Sequence, residues 1–244
     1  MLKAVLFDLD DTLLGNSMGT FLPAYFQALT RYLEHLIPPE RLIAQLMRAT
    51  EAMDANHNRQ VTNEEAFAAV FYPALKPDRL TLERAFRRFY AQEFPKLQRL
   101  TKRRREARLL VEWAFERDLQ VAVATNPLFP RVAVQQRLAW ADVSVDDFSY
   151  ALVTTYENMH ATKSHPAYYR EILTRLGCHP GECLMVGDSW EMDVLSASAV
   201  GLHVYWITDE DELPASDLPL AGCGSLEELW GLVKTKGTFP KAHR

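Results

Sequence analysis

With 244 residues, 48% of them hydrophobic and 24% charged, the chain has the balance of an ordinary globular protein: too apolar for disorder, and long enough for one large domain or a core with a modest insert. A net charge of -5 excludes a broad nucleic-acid-binding surface, and the run Lys102-Arg103-Arg104-Arg105 is too short to reverse that. No stretch approaches the ~18 apolar residues of a membrane span, the N-terminal apolar run is cut at Asp8, and the three cysteines hold no C-x-x-C pair; a cytoplasmic protein with neither membrane nor nucleic-acid partners is expected.

Residues 3–7 read as a buried strand that stops at Asp8, a short apolar run followed by a polar cluster. Residues 17–99 differ from the rest of the chain. Amphipathic runs at 21–36, 41–53, 64–71 and 80–94, punctuated by Pro38-Pro39, Pro73 and Pro77, predict a small all-helical cap domain inserted after the first strand. Its most polar loop, Asn56-His57-Asn58-Arg59, is either a substrate contact or an exposed helix connection.

Strand and helix then alternate. A helix is expected over 105–116 and a strand over 121–124 that ends at Thr125-Asn126. Pro130 opens a helix over 132–138, and 150–153 offers a further strand. Pro166 opens a helix over 167–176 that Gly177 closes. A strand at 184–186 ends at Gly187-Asp188, a helix covers 192–199, and a last strand spans 202–207. Near-continuous apolar strands separated by helices predict an α/β fold, a doubly wound parallel sheet covered on both faces. The core comprises 1–16 and 100–244 and the cap 17–99, and the basic tail from residue 234 is expected to be loosely held.

The chemistry gathers at strand ends, where open α/β sheets bind their ligands. Asp8-Leu9-Asp10-Asp11-Thr12 places two carboxylates at a spacing of two, so that one can attack as a nucleophile and the other handle protons. A hard cation prefers such oxygen ligands. Gly187-Asp188-Ser189-Trp190-Glu191-Met192-Asp193 adds a second acidic cluster: Asp188 can ligate the same cation, and Asp193 can support it directly or through water. Thr125-Asn126 offers a hydroxyl and backbone amides to a phosphoryl oxygen. Lys163 can neutralise a phosphoryl group or hold Asp8 as a carboxylate. Trp190 either walls the site or packs in the core.

In order and spacing these four segments resemble the motifs of the haloacid dehalogenase-like hydrolase superfamily, with the inserted helices similar to the C1 cap of its phosphoglycolate phosphatase-like branch. The resemblance implies a Rossmann-like core and a magnesium-dependent phosphatase that hydrolyses a small phosphorylated metabolite through an aspartyl-phosphate. Asp8 would be the nucleophile and Asp10 the acid and base. Asp8, Asp10 (through its backbone carbonyl) and Asp188 would hold Mg2+ with Asp193 in support, and Thr125, Asn126 and Lys163 would grip the phosphoryl oxygens. Relatives that act as dehalogenases lack the second aspartate, so Asp10 favours phosphoryl transfer. The alternatives are a phosphomutase on a sugar phosphate and a non-catalytic phosphate-binding scaffold; a homo-oligomer is left open. Two departures stand out: Lys163-Ser164-His165-Pro166 replaces the usual Lys-Pro, and Asp118 or its neighbour replaces a glycine before the second core strand.

Overall fold

The computed structural model describes residues 1–209 and 218–242. Its centre is a parallel sheet. Strand β1 (Ala4–Phe7) leads through a short β2 (Leu14–Gly15) into helices α1 (Met18–Leu33), α2 (Pro39–Asp54), α3 (Asn63–Phe71) and α4 (Arg79–Gln92). The chain returns through a 3-10 segment (Phe94–Leu100) and β3 (Lys102–Arg103), then continues as α5 (Arg105–Phe115), β4 (Gln120–Val123), α6 (Arg131–Trp140), β5 (Leu152–Val153) and α7 (Pro166–Leu176). β6 (Cys183–Gly187), a π-helical turn (Trp190–Leu195), α8 (Ser196–Ser198), β7 (His203–Ile207), β8 (Gly222–Gly224) and α9 (Leu226–Lys236) complete the order.

The six main strands run in the order β5-β4-β1-β6-β7-β8, every neighbouring pair parallel. Alternate residues serve opposite faces, as a strand dictates. Val5, Phe7, Val121, Val123, Leu184 and Val186 enter one apolar cluster, while Ala4, Leu6, Ala122, Cys183 and Met185 enter the other. Burial on both faces is why these strands read as apolar runs with no alternation. β8 escaped the reading because it is Gly-Cys-Gly at the sheet edge and carries no apolar run.

The register sets the site. Phe7 pairs with both Val123 and Val186, so the chain leaves all three central strands at one level. Asp8, the Thr125 loop and the Gly187-Asp188 turn therefore share one end of the sheet.

Capping agrees with the sequence at α7, opened by Pro166 and closed by Gly177, and differs by one residue at α6. Gly177 ends α7 at φ 63°, a left-handed conformation that glycine adopts without penalty. Asp118 takes φ 54° in the turn before β4, the one place where the departure from glycine has a backbone consequence. Pro130 is the N-cap of α6 and Arg131 its first residue.

Two expectations need correction. The tail beyond residue 234 is tied down over its described part: Phe239 is 1% exposed and packs edge-on against Trp113 at 5.1 Å and Phe7 at 6.1 Å, and the Ala242 amide donates to His203 Nδ1. One buried aromatic anchor outweighs a basic, Gly/Pro-containing composition. The helix expected over 192–199 is a wide π turn followed by only three α-helical residues. Side chains also bond carbonyls of this turn, the Tyr169 hydroxyl donating to the Met192 carbonyl at 2.9 Å and Ser196 Oγ to that of Glu191 at 3.1 Å.

The inserted helices rest on the sheet's carboxyl end. The linkers into and out of them pair as β2 and β3, antiparallel. Backbone amides of Asn63 and Glu64 donate to the carbonyls of Met159 and Tyr156, both at 2.8 Å. Among the described residues, no helix is long and apolar enough to cross a membrane.

Candidate active site

Asp8 is 6% exposed and lies one residue beyond β1. Lys163 Nζ reaches its Oδ1 at 2.6 Å and also Asp193 Oδ1 at 2.5 Å. Lys163 is 1% exposed and Asp193 fully buried, so this charge-assisted bridge is shielded from water. The loop that carries the lysine is pinned by Asn126, whose Oδ1 accepts the Lys163 backbone N–H at 3.2 Å. The longer Lys163-Ser164-His165-Pro166 stretch still delivers its lysine to Asp8.

Asp188 leaves β6 at the same end. Its Oδ1 accepts from Thr12 Oγ1 at 3.2 Å, and its carbonyl accepts from Trp206 Nε1 at 2.8 Å. Trp190 packs edge-on against Trp206 with ring centroids 4.9 Å apart, so the tryptophan pair braces the Asp188 loop. Asp193 folds back from the π turn: its Oδ2 accepts the Ser189 N–H at 3.1 Å, and its Oδ1 the Tyr169 hydroxyl at 3.2 Å. This return needs a glycine beneath it. A Cβ at Gly187 would lie 2.8 Å from Asp193 Cβ and overlap the carboxylate. We therefore expect Gly187→Ala to displace Asp193 and break its bond to Lys163, with a loss of roughly 3 kcal/mol or more in chemical denaturation; a variant as stable as wild type would show the contact to be soft.

One carboxylate oxygen each from Asp8, Asp188 and Asp193 lies within 4.8 Å of the others. Burial pushes the Asp8 carboxyl well above the usual carboxylate range; Lys163 pulls it back, and the Asp193 and Asp188 charges push it up again. Burial, then the Asp193 charge, raise Asp188 to about 6. Burial works against the Lys163 ammonium, yet Asp193 and Asp8 overrule it and keep it protonated. Three converging carboxylates thus face one ammonium, and the all-oxygen set fits a hard divalent cation.

Thr125 is 3% exposed, and its carbonyl accepts from both Thr154 Oγ1 at 2.7 Å and the Tyr168 hydroxyl at 2.8 Å. Asp10 stands apart from the three clustered aspartates. Asn16 Nδ2 donates to its Oδ1 at 2.6 Å, and Arg137 Nη1 pairs with its Oδ2.

In the polar loop Asn56–Arg59, Asn56 brackets the core while His57, Asn58 and Arg59 are exposed. Asn56 is 8% exposed and donates to the carbonyls of Val61 at 2.8 Å and His160 at 3.2 Å. Asn63, fully buried, reaches the carbonyls of Pro127 and Ala161. Asp54 Oδ1 accepts from Thr162 Oγ1 at 2.5 Å and Ser164 Oγ at 2.6 Å, and His165 Nε2 bonds the Asp54 carbonyl at 2.8 Å. Ser164 and His165, the two residues inserted before Pro166, therefore serve the seam between cap and core. Beside that seam lies a cavity of about 240 Å³ walled by Tyr25, Phe26, Phe67, Phe129 and Tyr156 among others.

Sequence reasoning missed Arg137, Asn16, Asp54 and Asn63. A signal existed for Arg137: it follows Ala133 by four residues and Val134 by three, which puts it on the apolar face of α6.

No curated protein matches the sequence. Solved structures match it closely in fold. A HAD phosphatase from Thermococcus onnurineus is 23% identical, with 98% of this chain and 100% of that chain covered and a TM-score of 0.58. A putative beta-phosphoglucomutase from Thermotoga maritima is 19% identical over 96% of this chain and 99% of its own, at a TM-score of 0.58. A 2-haloacid dehalogenase from Pseudomonas syringae pv. Tomato DC3000 is 19% identical over 97% and 100%, at a TM-score of 0.66. The model of one family spans residues 2–201, from β1 through the Asp188–Asp193 turn, and so takes in every residue of the cluster just described. With that match added to the sheet order and the strand-end aspartates, the chain belongs to the haloacid dehalogenase-like hydrolases.

Proposed function

We propose that the protein is a magnesium-dependent phosphatase acting on a small phosphomonoester, with Asp8 as nucleophile. The observation that carries this reading is the convergence of one oxygen each from Asp8, Asp188 and Asp193 within 4.8 Å, two of the three carboxylates buried and bonded to Lys163. Carboxylates so crowded destabilise the fold unless a cation joins them, and Asp8 among them stands beside a second aspartate, Asp10, left free of the cluster. Asp8, Asp188 and the Asp10 carbonyl would hold the ion, with Asp193 behind them; a bound Mg2+ would supply charge neutralisation for the phosphoryl group.

The chain's own groups then divide the work. An Asp8 oxygen attacks phosphorus, and the bond from phosphorus to the leaving oxygen breaks. Asp10, having first taken up a proton from solvent, gives it to that oxygen. Water next attacks the aspartyl-phosphate, Asp10 takes the water's proton, and the phosphorus bond to Asp8 breaks to release inorganic phosphate. Lys163, Thr125 and Asn126 hold phosphoryl oxygens as charge shifts. The cap covers the site and keeps bulk water from the first step.

The test is a magnesium titration read two ways. Mg2+ should raise the melting temperature and support phosphate release from a panel of phosphorylated metabolites. Isomer formation from hexose phosphates in place of phosphate release would point to a mutase, and halide release from a 2-haloacid to a dehalogenase. No melting shift and no turnover would sink the enzymatic reading.

A further inference from the structure

Arg137 is the most unusual residue of the core. It is fully buried on α6, among Ala133, Val134 and Leu138, where an aliphatic side chain would pack without cost. Its guanidinium pairs with Asp10 Oδ2 through Nη1, lies 4.6 Å over the Phe129 ring, and donates from Nε to the Ala133 carbonyl at 3.3 Å. Its Nη2 is buried without a partner. A buried ion pair with a donor left over is a poor stability device: an apolar replacement of similar volume is often neutral or stabilising. The arrangement calls for another reason.

Asp10 supplies it. Its carboxylate lies outside the Asp8, Asp188 and Asp193 cluster, with Arg137 on one oxygen and Asn16 on the other. Asn16 is itself fixed, its backbone N–H donating to Asp11 Oδ1 at 3.1 Å. Phe129 stands two residues past the Asn126–Pro127 pair, and its ring also walls the aromatic cavity beside the cap. Arg137 thus sits between that cavity's wall and the acid/base carboxylate, gripping the latter from behind.

We propose that Arg137 is a positioning residue for Asp10, holding its carboxylate in the orientation from which it meets the leaving oxygen. The inference rests on the phosphatase reading and adds a residue from a helix that carries none of the family's four motifs. In an in-line displacement the leaving oxygen lies opposite the attacking Asp8 oxygen, so the proton donor must be kept away from the Asp8 cluster. The geometry at Arg137 does this through a single charged contact from Nη1 to Asp10 Oδ2, with the guanidinium held over Phe129 and by the Ala133 carbonyl, which an aliphatic side chain cannot make.

The experiment compares two substrates of different leaving-group demand. 4-Nitrophenyl phosphate expels a stable phenolate and needs little proton donation; a simple alkyl phosphate needs a full proton. Arg137→Met should lower kcat/KM for the alkyl ester by roughly 10²-fold or more and for the nitrophenyl ester by less than about tenfold. Arg137→Lys should recover part of the alkyl activity. In an Asp10→Asn background, Arg137→Met should have almost no further effect on kcat/KM. A residue that merely supports the fold would depress both esters alike, in either background, and that result overturns the inference, as does undiminished alkyl turnover. Should Arg137→Met fail to fold, the alkyl-to-aryl ratio of Arg137→Lys decides by the same criterion. A wild-type enzyme that hydrolyses neither ester would bring down the phosphatase reading, and the role of Arg137 with it.

Discussion

Asp8→Asn is expected to lower phosphate release by roughly 10⁴-fold or more while leaving the protein folded and, without divalent cations, at least as thermally stable as wild type. The two halves have separate causes. The amide cannot form the acyl-phosphate bond, so the route through Asp8 is closed. The stability half follows from the raised pKa of Asp8. Burial and the neighbouring Asp193 and Asp188 charges lift it above its ordinary 3.8 against the pull of Lys163. A carboxyl whose folded pKa exceeds its unfolded one binds its proton more tightly when folded. Its ionisation therefore costs stability as pH rises from the unfolded value through the folded one. Asparagine removes that cost but also one partner of Lys163, whose other partner, Asp193 at 2.5 Å, remains. Melting curves in EDTA at pH 7.5 and near pH 4 would resolve the two effects, since any gain from the amide should shrink at the lower pH. Added Mg2+ should stabilise the variant less than wild type. Undiminished turnover by Asp8→Asn would remove Asp8 as nucleophile.

How much of this was legible in the sequence depends on distance along the chain. β1, β4, β6 and β7 announced themselves because burial on both faces turns a strand into an apolar run, and such runs are local facts. The aspartates at their ends were equally local. The pairing of Lys163 with Asp193, 30 positions apart, was not, because it depends on a loop and a π turn meeting over Gly187. The same holds for Asp54, Asn56 and Asn63. Each is polar, each sits at a helix end or in a loop, and composition assigns such residues to solvent. Their partners are core carbonyls and hydroxyls about 64 to 110 positions away, which no periodicity encodes. Asn126 was read as a phosphoryl contact; that its carboxamide oxygen also accepts the Lys163 backbone N–H, 37 positions away, is a further fact of the same non-local kind. Phe239 shows the reverse error, since a basic tail hid a single apolar anchor.

Lys163→Met should be the most destabilising single substitution in the site. The lysine is 1% exposed, and its ammonium is the common partner of Asp8 and Asp193. Methionine matches its length but leaves two buried carboxylates facing each other, with Asp188 as a third. Removing one member of a buried ion pair costs about 3–5 kcal/mol because the remaining charge stays desolvated and unpaired. For a chain of this size that corresponds to a fall in melting temperature on the order of 10 °C in EDTA. Magnesium should recover part of the loss, because a cation among the three carboxylates replaces some of the missing charge; the Mg2+-induced rise should therefore exceed that of wild type. Asp8→Asn added to Lys163→Met should cost less than the sum of the two, because the amide removes one of the carboxylates the lysine had neutralised. Lys163→Arg should not restore stability, since a guanidinium is bulkier than the ammonium it would replace at a position only 1% exposed. A Lys163→Met protein that melts within about 2 °C of wild type in EDTA would mean that the three carboxylates hold protons in place of the cation, and the charge-based case for a metal at this site would fail with it.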